Sequence, residues 1–165
     1  MNLRILAALT GALLLAGCSA MPDLGSILAS TRTVEVEELR RAGQCGTVGE
    51  ASSLRLFADQ SAVRAWERAQ QVDLIGSQAL PPASRYLLVE HGARNSAGFG
   101  LAVSRSAQLT GRSLQLNATY ISPPSGGFTA QVLTSPCVLI GLPAMELREV
   151  ELLDQSGKTR ARWPD

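Results

Sequence analysis

Aromatic rings are scarce in this chain: two Trp, two Tyr and three Phe among 165 residues. So few rings cannot tile a surface on which bases stack, and 15 basic against 14 acidic side chains set up no field for polyphosphates. Nucleic acid is therefore excluded as the expected partner. Histidine is scarcer still, with His91 alone. Nucleophilic hydrolysis needs a base beside its nucleophile, and the chain holds many serines but no Gly-x-Ser-x-Gly turn to present one. No catalytic residue is expected. One His with Cys45 and Cys137 some ninety residues apart gives no ligand spacing, so neither a metal nor a cofactor is expected. Gly157-Lys158-Thr159 ends like a phosphate-binding loop, but the first glycine of that motif would fall at Leu152, between strand-like flanks. It is read as a turn. Glu146, Glu149 and Glu151 have no oppositely tuned partner and are read as the wet face of a strand.

Long hydrophobic runs are also absent, except at the amino terminus. Arg4 precedes an apolar stretch from Ile5 to Ala16, too short for the ~20 residues that span a bilayer and the right length for a signal peptide core. Leu15-Ala16-Gly17-Cys18 resembles the lipobox of bacterial lipoproteins. The resemblance implies a signal peptide over residues 1–17, cleavage before Cys18, and acyl chains on that cysteine's sulfur and new amino group. Each buried methylene adds roughly 0.8 kcal/mol, so several chains hold a soluble domain on the membrane. Residues 18–33, with Met21-Pro22 and Gly25-Ser26, read as a tether. Ser19-Ala20 after Cys18 lacks the aspartate of inner-membrane retention, and resemblance to Gram-negative lipoproteins then implies the outer membrane facing the periplasm. Loss of Arg4 leaves a neutral domain without electrostatic attraction to lipid headgroups. Two further thiols, Cys45 and Cys137, in an exported domain suggest a disulfide, with buried free thiols as the alternative.

Residues 34–165 form one expected domain, mainly β, as an antiparallel sheet or sandwich with one α-helix near residues 60–72. Val34, Val36 and Leu39 alternate with glutamates in a first strand over 33–39, and Ser53 to Phe57 is a second. Asp59 or Ser61 caps a helix whose inner stripe carries Ala62, Trp66 and Ala69, with Trp66 read as core. Beyond Pro81-Pro82 the period becomes two. Strands follow at 85–91, 99–104 and 114–120, the last two joined through Thr110-Gly111-Arg112. Gln131 to Thr134 and Val138 to Leu142 flank Pro136 and read as a strand kinked at an edge or bulge. Glu146 to Leu153 and Thr159 to Trp163 make a terminal hairpin. His91, at a strand end, is expected to be solvated or hydrogen-bonded.

Three blocks carry a second resemblance. They are Arg85-Tyr86-Leu87-Leu88-Val89-Glu90-His91-Gly92, the glycine-aromatic turn Asn95-Ser96-Ala97-Gly98-Phe99-Gly100-Leu101, and Pro123-Pro124 through Gln131-Val132-Leu133-Thr134-Ser135-Pro136-Cys137-Val138-Leu139-Ile140. Residues 85–142 thereby resemble the carboxy-terminal domain of the PrcB family, subunits of a protease complex found in many bacterial lipoproteins. The second block departs from the family's usual Thr-Gly-Gly-Tyr. The resemblance implies a noncatalytic accessory role towards a partner protease. Gly98-Phe99 and Gly127-Phe128 offer aromatics on glycine-flexed tips, so these four residues are the candidate partner contacts, unless each Phe merely opens the buried face of the next strand. A protease inhibitor built on the same loops, and a structural envelope lipoprotein without a protease partner, remain open alternatives.

Overall fold

The computed structural model describes residues 30–164. The signal peptide, Cys18 and all but the last residues of the tether therefore lie outside the described residues. Nine strands and one helix follow in the order β1 (Thr31–Glu35), β2 (Glu37–Ala42), β3 (Ser53–Phe57), α1 (Gln60–Gln70), β4 (Arg85–Glu90), β5 (Gly100–Thr110), β6 (Ser113–Ile121), β7 (Cys137–Leu142), β8 (Glu149–Leu153) and β9 (Thr159–Trp163). They form a five-stranded sheet, β1-β5-β6-β8-β9, and a four-stranded sheet, β2-β7-β4-β3. The expected mainly β fold with a single short helix is what the described residues adopt.

The core between the sheets draws on both: Val34, Leu101, Leu114, Leu116, Val150 and Leu152 from one, Leu54, Leu87, Val89, Val138 and Ile140 from the other. The four-stranded sheet buries its second face too. Tyr86, Leu88 and Leu139 point away from the sandwich and pack with Val63 and Trp66 of α1. Burial on both faces is why β4 and β7 read as unbroken apolar runs, whereas β6, wet on one side, alternates. Asp59 caps α1 by accepting the Ala62 N–H at 2.9 Å. The helix stops at Gln70, slightly short of the expected end, because Gln71 turns left-handed at φ 56°. Trp66 is core, against Phe57 with ring centroids 6.0 Å apart.

Four details differ from the sequence reading. The first expected strand is two, because the chain bends at Val36 and passes from one sheet to the other; Val36 N–H still reaches Arg105 O at 2.9 Å. Residues 131–134 form no strand and contribute one isolated bridge, Thr134 to Arg94. The strand beyond Pro136 is central, held between β2 and β4, because the proline precedes its first ladder residue. Finally, β6 and β8 pair in parallel. The chain crosses to the other sheet as β7 between them and re-enters beside β6 in the same direction.

Candidate binding surface

One end of the sandwich gathers three loops: 43–52 after β2, 91–99 after β4, and 122–136 after β6. Backbone bonds weld them together. Ala93 N–H donates to Gly49 O at 2.7 Å, and Arg94 exchanges both of its backbone bonds with Thr134, at 2.7 and 2.8 Å. Ala97 N–H reaches Ala130 O at 2.9 Å, and His91 N–H reaches Pro136 O at 2.8 Å. The Arg94 guanidinium fills the centre, donating to the carbonyls of Glu50, Ala93 and His91. Buried Glu90 accepts from the hydroxyls of Thr47 and Ser53 and ties the first loop to the sheet. Gly92 lies at φ +93° with its α-carbon against the Glu50–Ala51 backbone, an approach no side chain permits.

His91 is not the solvated or hydrogen-bonded residue expected. It is 3% exposed, and neither ring nitrogen has a hydrogen-bond partner. The imidazole packs in T-shaped arrangements against Tyr120 and Phe99, with ring centroids 4.9 and 6.0 Å away. Burial, reinforced by the positive charges of Arg94 and Arg160, holds its pKa below 6.5. Tyr120 donates to Ser52 Oγ at 2.9 Å, and Ser52 donates onward to the His91 carbonyl at 3.0 Å. Burial pushes the Tyr120 phenol upward. Arg160 lies over the Tyr120 ring, 4.3 Å from its centre, and meets Asp154, whose carboxyl pKa the Ser156 hydroxyl holds down to about 2. The imidazole is buried inside the scaffold, and among the described residues no group hydrogen-bonds to its nitrogens.

The two candidate aromatics have different fates. Phe99 is half-buried, against His91 and beneath Arg94, and lines a hollow of about 250 Å³ with Gly43, Leu101, Pro136 and Cys137. It anchors the loop as much as it faces outward. Gly98 ahead of it, at φ +89°, sits where a Cβ would meet Pro123 at 3.0 Å, so the two loops touch there. Phe128 is fully exposed. Its turn is closed by Gly127 N–H on Pro124 O at 3.1 Å, with Gly126 at φ +77° in the position that requires glycine. Leu133, 75% exposed, and Val132 lie on the same loop, and Val48, 95% exposed, is on the neighbouring one. The sequence reading missed these three: Val132 and Leu133 fell in a segment read as strand, and Val48 in a glycine-broken stretch drew no reading; the one available signal was the lack of alternation around Val132-Leu133.

Cys45 and Cys137 lie together beneath this end, almost wholly buried, with α-carbons 6.1 Å apart, within the span of a disulfide. Ser135 secures the place, its carbonyl and hydroxyl both accepting from Cys45 N–H at 3.0 and 2.8 Å. A second, shallower hollow of about 430 Å³ lies against β5, β6 and the β8–β9 turn, lined by Ser104, Asn117, Thr119, Asp154 and Gln155. Among the described residues there is no cluster of three or more His, Cys, Asp or Glu placed to hold a metal ion.

These features define a two-sheet β-sandwich whose rigid loops present apolar side chains at one end. Residues 85–143 match the family model described as PrcB C-terminal, which bears out the resemblance read from the three sequence blocks. No curated protein and no solved structure matches the chain. The matched segment spans β4 to β7 and includes both the 91–99 and the 122–136 loops. It contributes two central strands to each sheet, while β1, β2, β3, β8, β9 and α1 complete the layers around it.

Proposed function

We propose that this protein is a lipid-anchored, noncatalytic subunit that binds and supports an exported protease, held through acylated Cys18 in the outer membrane and facing the periplasm. The family of the matched segment is associated with protease complexes, and that segment supplies the loops described above. The observation that carries the reading is Phe128, wholly exposed on a loop whose backbone is tied down. A large apolar side chain exposed to water gains free energy when a partner covers it, and the bonds that hold the base of its loop reduce the order lost on binding. The Cys45–Cys137 disulfide fits this setting, since a bridge under the loops would keep them in place in an oxidising compartment.

The test is affinity capture of the acylated protein from crosslinked envelopes, followed by addition of the purified protein to any protease that comes with it. A lengthened protease lifetime at undiminished activity supports the reading. A stoichiometric fall in activity would make the protein an inhibitor. Enrichment of cell-wall or assembly proteins alone would make it a structural lipoprotein.

A further inference from the structure

The exposed apolar loops lie at the far end of the molecule from the point where the chain leads back to Cys18. Thr31 pairs with Thr110 beside the β5–β6 turn, whereas the 91–99 and 122–136 loops adjoin Gly100 and Ile121 at the opposite ends of the same strands. The 11 residues of β5 separate the two ends by about 30 Å. The dozen residues between Cys18 and Thr31 reach about 40 Å at full extension, so returning the loops to the anchoring bilayer would need a nearly straight tether laid along the molecule.

The loop that carries Phe128 and Leu133 is also uncharged. No Asp, Glu, Lys, Arg or His occurs from Ile121 to Met145, nor from Asn95 to Ser104. Arg94 on the adjoining loop donates to three backbone carbonyls, and the charges at the margin are Glu50, exposed on the 43–52 loop, and Arg41, which lines the hollow beside Phe99. Segments that settle on lipid combine apolar side chains with basic ones that attract anionic headgroups. Protein interfaces instead lose charge at their centre and keep aromatic anchors there. We propose that this end, centred on Phe128 and Leu133 with Val132 beside them, docks into an uncharged apolar cleft of a folded exported protein on the side away from the anchoring membrane. This rests on the reading of the protein as a binding subunit, and it specifies the partner's chemistry: apolar complementarity without electrostatic steering.

The full-length acylated chain is produced in its own envelope with a benzophenone amino acid at 128, at 133, or, as a control, at 112 in the β5–β6 turn. The expected result is an adduct from 128 and 133, and none from 112, with one defined exported protein. The purified pair should then bind with a Kd that changes less than about threefold between roughly 50 and 500 mM salt. Phe128→Ser with Leu133→Ser should weaken that Kd more than about tenfold at an unchanged melting temperature. Adducts with lipid, with a second copy of the chain, from position 112 alone, or none at all, would each overturn the proposal. So would a Kd that rises steeply with salt. Whether the crosslinked protein is a protease is a separate outcome: a nonprotease partner refutes the function proposed above while leaving the docking surface standing.

Discussion

Replacing Gly92 by alanine tests how tightly the loop end is built. An ideal Cβ at this position would lie 2.3 Å from Glu50 O, 2.7 Å from Glu50 C and 2.8 Å from Ala51 O. All three are backbone atoms, so no rotamer change relieves the contact and the 50–51 peptide must move. That shift endangers two bonds, Arg94 Nη1 to Glu50 O at 3.0 Å and Ala93 N–H to Gly49 O at 2.7 Å. Each such bond is worth about 1 kcal/mol, and a side chain at positive φ costs about 1–2 kcal/mol more. The expected loss is therefore about 3–4 kcal/mol. Gly157→Ala is the control: its φ is +81°, but nothing lies within 4 Å of the added carbon. Only the conformational cost remains, about 1–2 kcal/mol. Urea unfolding followed by tryptophan fluorescence, with m unchanged, measures both. Equal losses for the two variants would refute the claim that close packing of the first and second loops, beyond backbone conformation, holds this surface.

Three further outcomes are expected. Reduction of the Cys45–Cys137 pair, 92 residues apart, should lower stability by up to about 4–5 kcal/mol, the loop-closure entropy of such a bridge; an identical urea midpoint with and without reductant would show that no bridge forms. The depressed pKa of buried His91 means that, as pH falls through 6.5, the unfolded chain takes up a proton that the folded chain refuses. Stability should thus decline below pH 6.5, and His91→Phe, which keeps the packing against Phe99 and Tyr120, should flatten that slope in unfolding curves collected from neutral to mildly acid pH. Cys18→Ser should move the protein from the membrane to the soluble fraction and abolish incorporation of labelled palmitate; retention of either would refute acylation at this residue.

What a local stretch of chain could encode was legible in the sequence. The capped helix around Trp66 follows from Asp59 and its apolar spacing, although Val63 and Glu67 are buried beside Trp66 while Ala69 of the expected stripe is exposed. The β5–β6 and β8–β9 turns follow from Gly111 and Gly157, each at positive φ between alternating strands. Half of the candidate site was legible in the same way, because glycine and proline marked both loops and Phe128 stood among them. What distant segments decide was not legible. Val36, Leu39 and their glutamates read as one strand, since nothing local says that Arg105 will hold Val36 in one sheet while β7 draws the next residues into the other. His91 next to Gly92 looked wet until β5 and β6 brought Phe99 and Tyr120 over its ring.

The same division separates the two phenylalanines. Each follows glycine in a loop, and the chain alone treats them alike. Phe99 immediately precedes β5, whose pairing begins at Gly100, and this places it half-buried against His91. Phe128 has no strand to join, because Thr134 pairs with Arg94 and Ala130 with Ala97, which hold the loop's base and leave its tip in water. By itself the sequence determined a mainly β domain with one helix, because period and turn chemistry act within a few residues. Only the tertiary structure decided which apolar residues the core had no room to cover, because burial depends on segments separated by tens of residues.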